Sequence, residues 1–357
     1  MIVNIILRLN QHIKDNKMTQ NNNITEQFKK VKTMYTPPYT ITNNILIKVS
    51  DIVELVSELN HIKKELNTPK LRKKNRIKSI TGTLQIEGNS FDEAKVTNVI
   101  DGKTVLGTVR EIEEVKGAIK AYDYLEKYNY KSEEDLLYSH KLLMNNLLQN
   151  AGKYRENNVG VGNENGVTHI APPPHLVPNL MNQLFYWLNN TQDHILIVSC
   201  IFHYEFEFIH PFNNGNGRIG RLWQSVILNQ YKDIFGGVPI ESVVRDNQEL
   251  YYKALEDSGS MGESTPFIEF MLKIILETLQ KVKKENVPRN VPKNVPLKRL
   301  DKIIEIITQN QNITIVELSN ILKVTEKTIK RDIIKLKEQN KLIRIGSLKS
   351  GYWEVKE

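Results

Sequence analysis

The stretch His210-Pro211-Phe212-Asn213-Asn214-Gly215-Asn216-Gly217-Arg218-Ile219-Gly220-Arg221 admits few folds. It lies between two runs that call for burial. Ile195 to Ile209 is almost wholly apolar, and Ile219, Leu222, Trp223, Val226 and Ile227 recur at helical spacing beyond it. The first run reads as a buried helix. Pro211 ends it, because proline cannot donate the next helical hydrogen bond. Arg218 opens the second helix. The chain is therefore expected to pack two core helices around one tight, polar turn.

The same turn concentrates chemistry. His210 falls at its mouth, and an imidazole with an ordinary pKa of about 6.5 can take a proton at neutral pH. Gly215 and Gly217 allow backbone conformations closed to other residues and a close approach of a ligand. The N–H groups that start the second helix lack helical acceptors and bind anions, above all phosphate. Arg218 and Arg221 are three apart, on one helix face, and can clamp further oxygens.

This loop resembles the signature of the Fic family, HPFx(D/E)GNGRxxR. His210, Pro211, Phe212, Gly215, Asn216, Gly217, Arg218 and Arg221 agree with it, and Asn214 stands where the family has an acidic residue. The resemblance implies transfer of AMP from ATP to a Ser, Thr or Tyr hydroxyl of a target protein, self-modification included, with release of pyrophosphate. His210 would be the general base. Gly215, Asn216 and Gly217 would form the anion hole, and Arg218 and Arg221 would hold the phosphates. Position 214 would help to bind Mg2+, the expected cofactor, and there Asn214 offers only a neutral amide oxygen.

Upstream, Thr83-Leu84-Gln85-Ile86-Glu87-Gly88-Asn89 fits the family's (S/T)xxxE(G/N) inhibitory motif. In that pattern Thr83 and Glu87 belong to a helix over about residues 70–90, and Glu87 pairs with Arg221 and displaces the γ-phosphate. The plainer reading makes Gly88 the C-cap of a helix. Val159 to Val161 and Val167 to Ile170 flank a polar Asn-Gly connection and read as a hairpin. In the family such a flap pairs with a target segment as an added strand, which makes His169 and Ile170 candidate docking positions. Asn247 and Tyr251 are the candidates for adenine contacts.

The fold class expected is mainly α: a Fic-type helical core with a small β-hairpin flap, and a small C-terminal winged-helix domain. Residues 1–33 read as a polar lead-in, 34–110 as an N-terminal helical region and 111–284 as the catalytic core. Three Asn-Val-Pro repeats over 285–297 read as an extended spacer. Residues 298–357 follow a helix-turn-helix pattern closed by two short strands. They hold 13 Lys and Arg against 8 Asp and Glu in a chain of net charge +8. Lys327, Lys330 and Arg331 fall in the third helix, where a recognition helix enters a major groove, so DNA is an expected partner.

Composition excludes other classes. The longest apolar run is far too short to span a bilayer, and the apolar start lacks a cleavage site. Cys200 is the only cysteine, so no internal disulfide or cysteine-built zinc site can form. A cytoplasmic protein is expected, with no membrane partner and a homodimer left open. Two other readings compete. One is a DNA-binding regulator whose Fic-like part senses nucleotide with little turnover, and Asn214 favours it. The other is a metal hydrolase built on His203, Glu207 and His210, whose order does not match a known zinc helix motif.

Overall fold

The computed structural model describes residues 35–61, 68–163, 166–286, 297–346 and 351–356. It divides into two compact units that meet between Asn286 and Val287, each around its own apolar core. The lead-in over 1–33 and the spacer residues 287–296 lie outside the described residues. At the spacer's edges the expectation shifts: Glu285, Asn286 and Leu297 are helical.

The first unit is built of helices. These are α1 (Asn43–His61), α2 (Pro69–Ile86), α3 (Glu93–Ile100), α4 (Val109–Asp123), α5 (Glu133–Met144) and α6 (Val177–Asn190). They continue with α7 (Ile195–Ile209), α8 (Asn216–Tyr231), α9 (Ile240–Asp246), α10 (Gln248–Met261) and α11 (Thr265–Asn286). Starts follow side chains that accept from the free first-turn N–H groups: Thr68 for α2, Asp92 for α3, Ser132 for α5 and Thr108, with Glu111 in a capping box, for α4.

The central pair is α7 and α8. Phe202, Phe206, Leu222, Trp223, Val226 and Ile227 are fully buried there. α7 also packs on α11 and α6, while α2 lies against α9, α3 and α4. Burial pushes the Cys200 thiol up to about 12, which makes it core filler and no nucleophile. The strands β1 (Gly160–Asn163) and β2 (Gly166–Ile170) pair antiparallel, with Gly160 opposite Ile170 and a register irregularity between Val161 and Gly162.

Three differences from the sequence reading are local. α6 was not anticipated, although Val177, Met181, Leu184, Phe185 and Leu188 repeat at helical spacing behind the prolines. The apolar spacing from Leu46 predicts a helix that opens there, and it begins at Asn43. The pattern over 246–256 predicts one helix, which is broken at Asn247, so Asp246 closes α9 and α10 runs on to Met261.

The second unit has α12 (Leu297–Gln309), α13 (Ile315–Ile321), α14 (Glu326–Glu338) and the antiparallel strands β3 (Leu342–Ile345) and β4 (Tyr352–Val355). Ile303, Ile307, Leu318, Ile329, Ile333, Leu336 and Trp353 form its core. Thr314 and Glu317 box the start of α13. Arg299 of α12 donates to the buried Asp332 of α14 at 2.8 Å. Among the described residues, no helix is long and apolar enough to cross a membrane.

Candidate active site

The α7–α8 turn begins with a strained residue. His210 takes φ 50 and ψ 60, a left-handed conformation that costs a non-glycine residue about 1–2 kcal/mol. The surroundings hold it there. Its N–H donates to Phe206 O at 2.9 Å. Arg155 Nε donates to the His210 carbonyl at 2.8 Å and Arg155 N to the Pro211 carbonyl at 2.9 Å. Arg155 is itself buried and also reaches the carbonyls of Asn157 and Pro172.

The ring of His210 is oriented as well. Nδ1 lies 3.3 Å from the backbone oxygen of Glu207. A carbonyl can only accept, so Nδ1 carries the proton and Nε2 keeps the lone pair that a general base needs.

The rest of the loop is fastened from inside and from below. Asn216 Oδ1 accepts from Phe212 N and its Nδ2 donates to Phe212 O, both at 2.8 Å. The Asn216 side chain is thus a staple, and only its backbone is left to an anion. His140 of α5 stacks flat on Phe212, with centroids 3.6 Å apart. Gly152 N–H donates to His140 Nδ1 at 2.8 Å, so Nε2 bears the ring proton and donates to Asn214 O at 3.0 Å. Burial lowers the His140 pKa to about 4, which keeps this arrangement neutral. Gly215 takes φ 86 at the head of α8, where a side chain would press on Met144.

α8 then starts with no side-chain cap and no acidic residue in its first turn. Its first N–H groups are left for a ligand. Two buried guanidinium groups add to this positive end. Arg218 Nη2 donates to Asn214 Oδ1 at 2.8 Å, and Nη1 is 3.6 Å from Glu114 Oε1. Its Nε and Nη1 have no hydrogen-bond acceptor. Burial lowers the Arg218 pKa. Glu114 meets part of this charge, and the two nitrogens without acceptors can take further anionic oxygens.

Arg221 is met, by Thr83 and Glu87 at the end of α2. Nη2 pairs with Glu87 Oε1 at 2.7 Å and with Thr83 O at 3.2 Å, and Nε donates to Thr83 Oγ1 at 3.0 Å. Burial acts to raise the Glu87 carboxyl, but Arg221 and Arg218 outweigh it and hold it below the ordinary range. The Glu87–Arg221 pair and the C-cap at Gly88 are both present. Asn89 N donates to Leu84 O and Gly88 N to Gln85 O, with Gly88 at φ 86, which is a Schellman cap. That cap aims Glu87 at the loop. A Cβ built on Gly217 would lie 2.5 Å from Glu87 Oε1, so the carboxylate rests over the glycine of the anion cradle.

The remaining candidates are distributed differently. Tyr251 is buried, and its hydroxyl meets His203 Nε2 at 3.0 Å. It supports α7 and is not open to an adenine, which corrects that expectation. Asn247 is half-buried and donates to Val243 O at 2.9 Å. His169 and Ile170 are placed on β2 by their backbone, and their side chains lie outside the described residues. The hydrolase reading fails on geometry. His203 Nδ1 is taken up by Gln224 and its Nε2 by Tyr251. Among the described residues, no group of three or more His, Cys, Asp or Glu is arranged to hold a metal ion. Lys327, Lys330 and Arg331 are exposed on α14 of the second unit.

Sequence reasoning missed Arg155, His140, Glu114 and Tyr252. Tyr252 is half-exposed beside the end of α2, its hydroxyl 3.5 Å from Ile86 O. Arg155 sits in a loop without periodicity, and nothing in its neighbourhood marks it. His140 reads as one more residue on an amphipathic helix.

A family model described as the Fic/DOC family matches residues 130–228, and one described as a DeoR-like helix-turn-helix domain matches residues 299–347. A protein adenylyltransferase Fic from Aedes aegypti is 26% identical over 214 residues, covering 57% of this chain and 41% of its own. A protein of the same name from Drosophila virilis is 25% identical over 250 residues, 67% of this chain and 49% of its own. The chain therefore spans less than half the length of these curated relatives. Fic-1 from C. elegans shares the fold, with a TM-score of 0.56 at 22% identity over 68% of this chain and 72% of that one. The crystal structure of a Fic family protein from Desulfovibrio desulfuricans G20 superposes with a TM-score of 0.69. It is 37% identical and covers 90% of this chain and 98% of that one. At that identity over nearly the full length of both, and with the signature loop set between α7 and α8, this chain belongs to the Fic family.

Proposed function

We propose that the first unit transfers AMP from ATP to a hydroxyl side chain of a protein, itself included, and that Glu87 holds it in check. The observation that carries the reading is Arg218. Its buried guanidinium has two nitrogens without acceptors at an uncapped helix start, beside a histidine whose Nε2 is free of the ring proton. An anion with several oxygens satisfies this site, and a base next to it can act on a nucleophile.

The roles follow. His210 Nε2 takes the proton of the acceptor hydroxyl as its oxygen attacks the α-phosphorus. The bond to the β-phosphate oxygen breaks and pyrophosphate leaves with the electron pair. Arg218, Arg221 and the first N–H groups of α8 stabilise the charge that develops on the phosphates. Glu87 must first leave Arg221.

Magnesium enters as a companion of the nucleotide. The protein supplies no carboxylate cluster for it among the described residues, and Asn214 Oδ1 is engaged by Arg218. Asn214 fits as one hard-oxygen ligand once Arg218 turns to phosphate, with ATP and water supplying the others. When bound, the ion would neutralise phosphate charge.

Labelled ATP tests the reading. Incorporation of AMP into the chain or into lysate proteins is expected, at a low rate and an elevated magnesium requirement. Asn214→Asp should raise the rate and lower the magnesium needed for half-maximal activity, most clearly with Glu87→Gly. A double variant that binds ATP yet transfers nothing at any magnesium concentration would leave the competing reading, a nucleotide-sensing regulator. The engaged amide of Asn214 and the DeoR-like unit are what favour that alternative.

DNA is the partner proposed for the second unit. Lys327, Lys330 and Arg331 are exposed on the helix that would enter a major groove. Changing all three to alanine should weaken duplex binding and flatten its salt dependence by up to about 3 in the log–log slope, since each phosphate contact contributes about 0.9. Binding with an unchanged slope would point to a protein partner.

A further inference from the structure

We propose that Glu207 is a positioning residue of the transfer reaction, its ionised carboxylate stabilising the His210 imidazolium from the Nδ1 side. The inference rests on the AMP-transfer reading. Glu207 lies on the last turn of α7, with its side chain only 11% exposed. Oε2 is 3.9 Å from His210 Nδ1. Oε1 is buried and has no hydrogen-bond partner.

The nearest ring does not satisfy it. Oε1 is 3.8 Å from His203 Nε2. Gln224 Oε1 lies 2.8 Å from His203 Nδ1 and can only accept, so Nδ1 holds that ring's proton. His203 Nε2 is then an acceptor and takes the Tyr251 hydroxyl at 3.0 Å. Glu207 is thus left facing the catalytic imidazole.

The fold makes room for this carboxyl. A Cβ built on Gly220 would lie 2.6 Å from Glu207 Oε1 and 2.9 Å from His203 Cδ2. A glycine inside a helix is destabilising relative to alanine. Here α8 bears that cost where the Glu207 carboxyl needs the space.

The charged and titratable groups around Glu207 are few. They are His203 and His210 on α7 and its turn, Arg221 on α8, Glu87 on α2, and Tyr251 and Tyr252 on α10. Burial pushes the Glu207 carboxyl up, Arg221 pulls it down and Glu87 pushes it up again, to about 8. At neutral pH it therefore holds its proton. Above that point it is ionised, and a carboxylate next to an imidazole favours the charged ring.

The proton balance is simple. The acceptor hydroxyl gives its proton to His210 Nε2 as the new O–P bond forms and the bond to pyrophosphate breaks. Above its titration Glu207 has already released its own proton to solvent and accepts none. It lowers the energy of the imidazolium through the ring.

Glu207→Gln in the Glu87→Gly chain decides the matter. The ratio of parent rate to variant rate should grow about tenfold as the pH is scanned from 5 to 9 through the Glu207 titration, which in this background loses the upward push of Glu87. A ratio that is constant with pH, at one or at any other value, overturns the proposal. The imidazole titration of His210, assigned by NMR through His210→Ala, gives a readout without turnover. It should show two linked steps in the parent and one in Glu207→Gln, and identical curves overturn the proposal too. If the parent binds ATP but transfers no AMP, the transfer reading falls by itself, and the titration still decides whether Glu207 acts on His210.

Discussion

Replacing His210 with alanine is expected to lower AMP transfer by about a hundred- to ten-thousandfold, the usual worth of a general base. ATP affinity should change by no more than a few-fold. The two effects separate because the anion cradle is built without the imidazole. It consists of the α8 N–H groups, Arg218 and Arg221, fastened by Asn216 on Phe212 and by His140 on Asn214. Removing the ring also relieves nothing in the backbone, since Arg155 and Phe206 hold the turn through main-chain atoms. No other ring in the loop is placed to substitute: His140 and His203 each have both nitrogens engaged. The measurement is single-turnover transfer in the Glu87→Gly chain beside ATP titration by calorimetry. Parent-like transfer in His210→Ala would refute the assignment.

Glu87→Gly itself should raise transfer by about ten- to a hundredfold. Hydrogen bonds to charged groups are worth about 1.5–3 kcal/mol, and each 1.4 kcal/mol is a factor of ten. The carboxylate pairs with Arg221 and rests over Gly217, so an incoming phosphate competes with it for the same donors. Self-modification should increase first, since it needs no added target. Glu87→Ala, which keeps a Cβ at the cap, should activate to a similar extent. An unchanged rate in both, against a parent of measurable activity, would mean that the pair does not restrain the enzyme.

The sequence made the central device legible because its constraints are local. Pro211 stops a helix, Gly215 needs a positive φ, and an apolar run on each side needs a core. These fixed where His210, Arg218 and Arg221 would meet. Thr83 and Glu87 could be named because the segment from Thr83 to Asn89 resembles the family's inhibitory motif.

The parts that were not legible depend on distant segments. Arg155 reaches the His210 carbonyl across 55 positions, and no local pattern encodes that. Tyr251 was misplaced because α10 shows two adjacent tyrosines, and only packing against His203 and Phe267 decides which one is buried. α9 closes at Asp246 and docks on α2, where Gly82 brings the two backbones so close that a Cβ would lie 2.7 Å from Ser242 N.

α2 has the proportions of a lever. The helix has 18 residues, about 27 Å at 1.5 Å per residue, and Glu87 rides at its tip. Its basic half is tied at the surface by Arg72 to Glu126, Lys73 to Asp101, Arg76 to Asp123 and Lys78 to Glu285. A tilt of about 5° around that far end moves the tip by about 2 Å on a rod of that length, which is most of a hydrogen bond. On the restraint proposed for Glu87, its distance from Arg221 is therefore set by the angle of α2, and by contacts far from that ion pair.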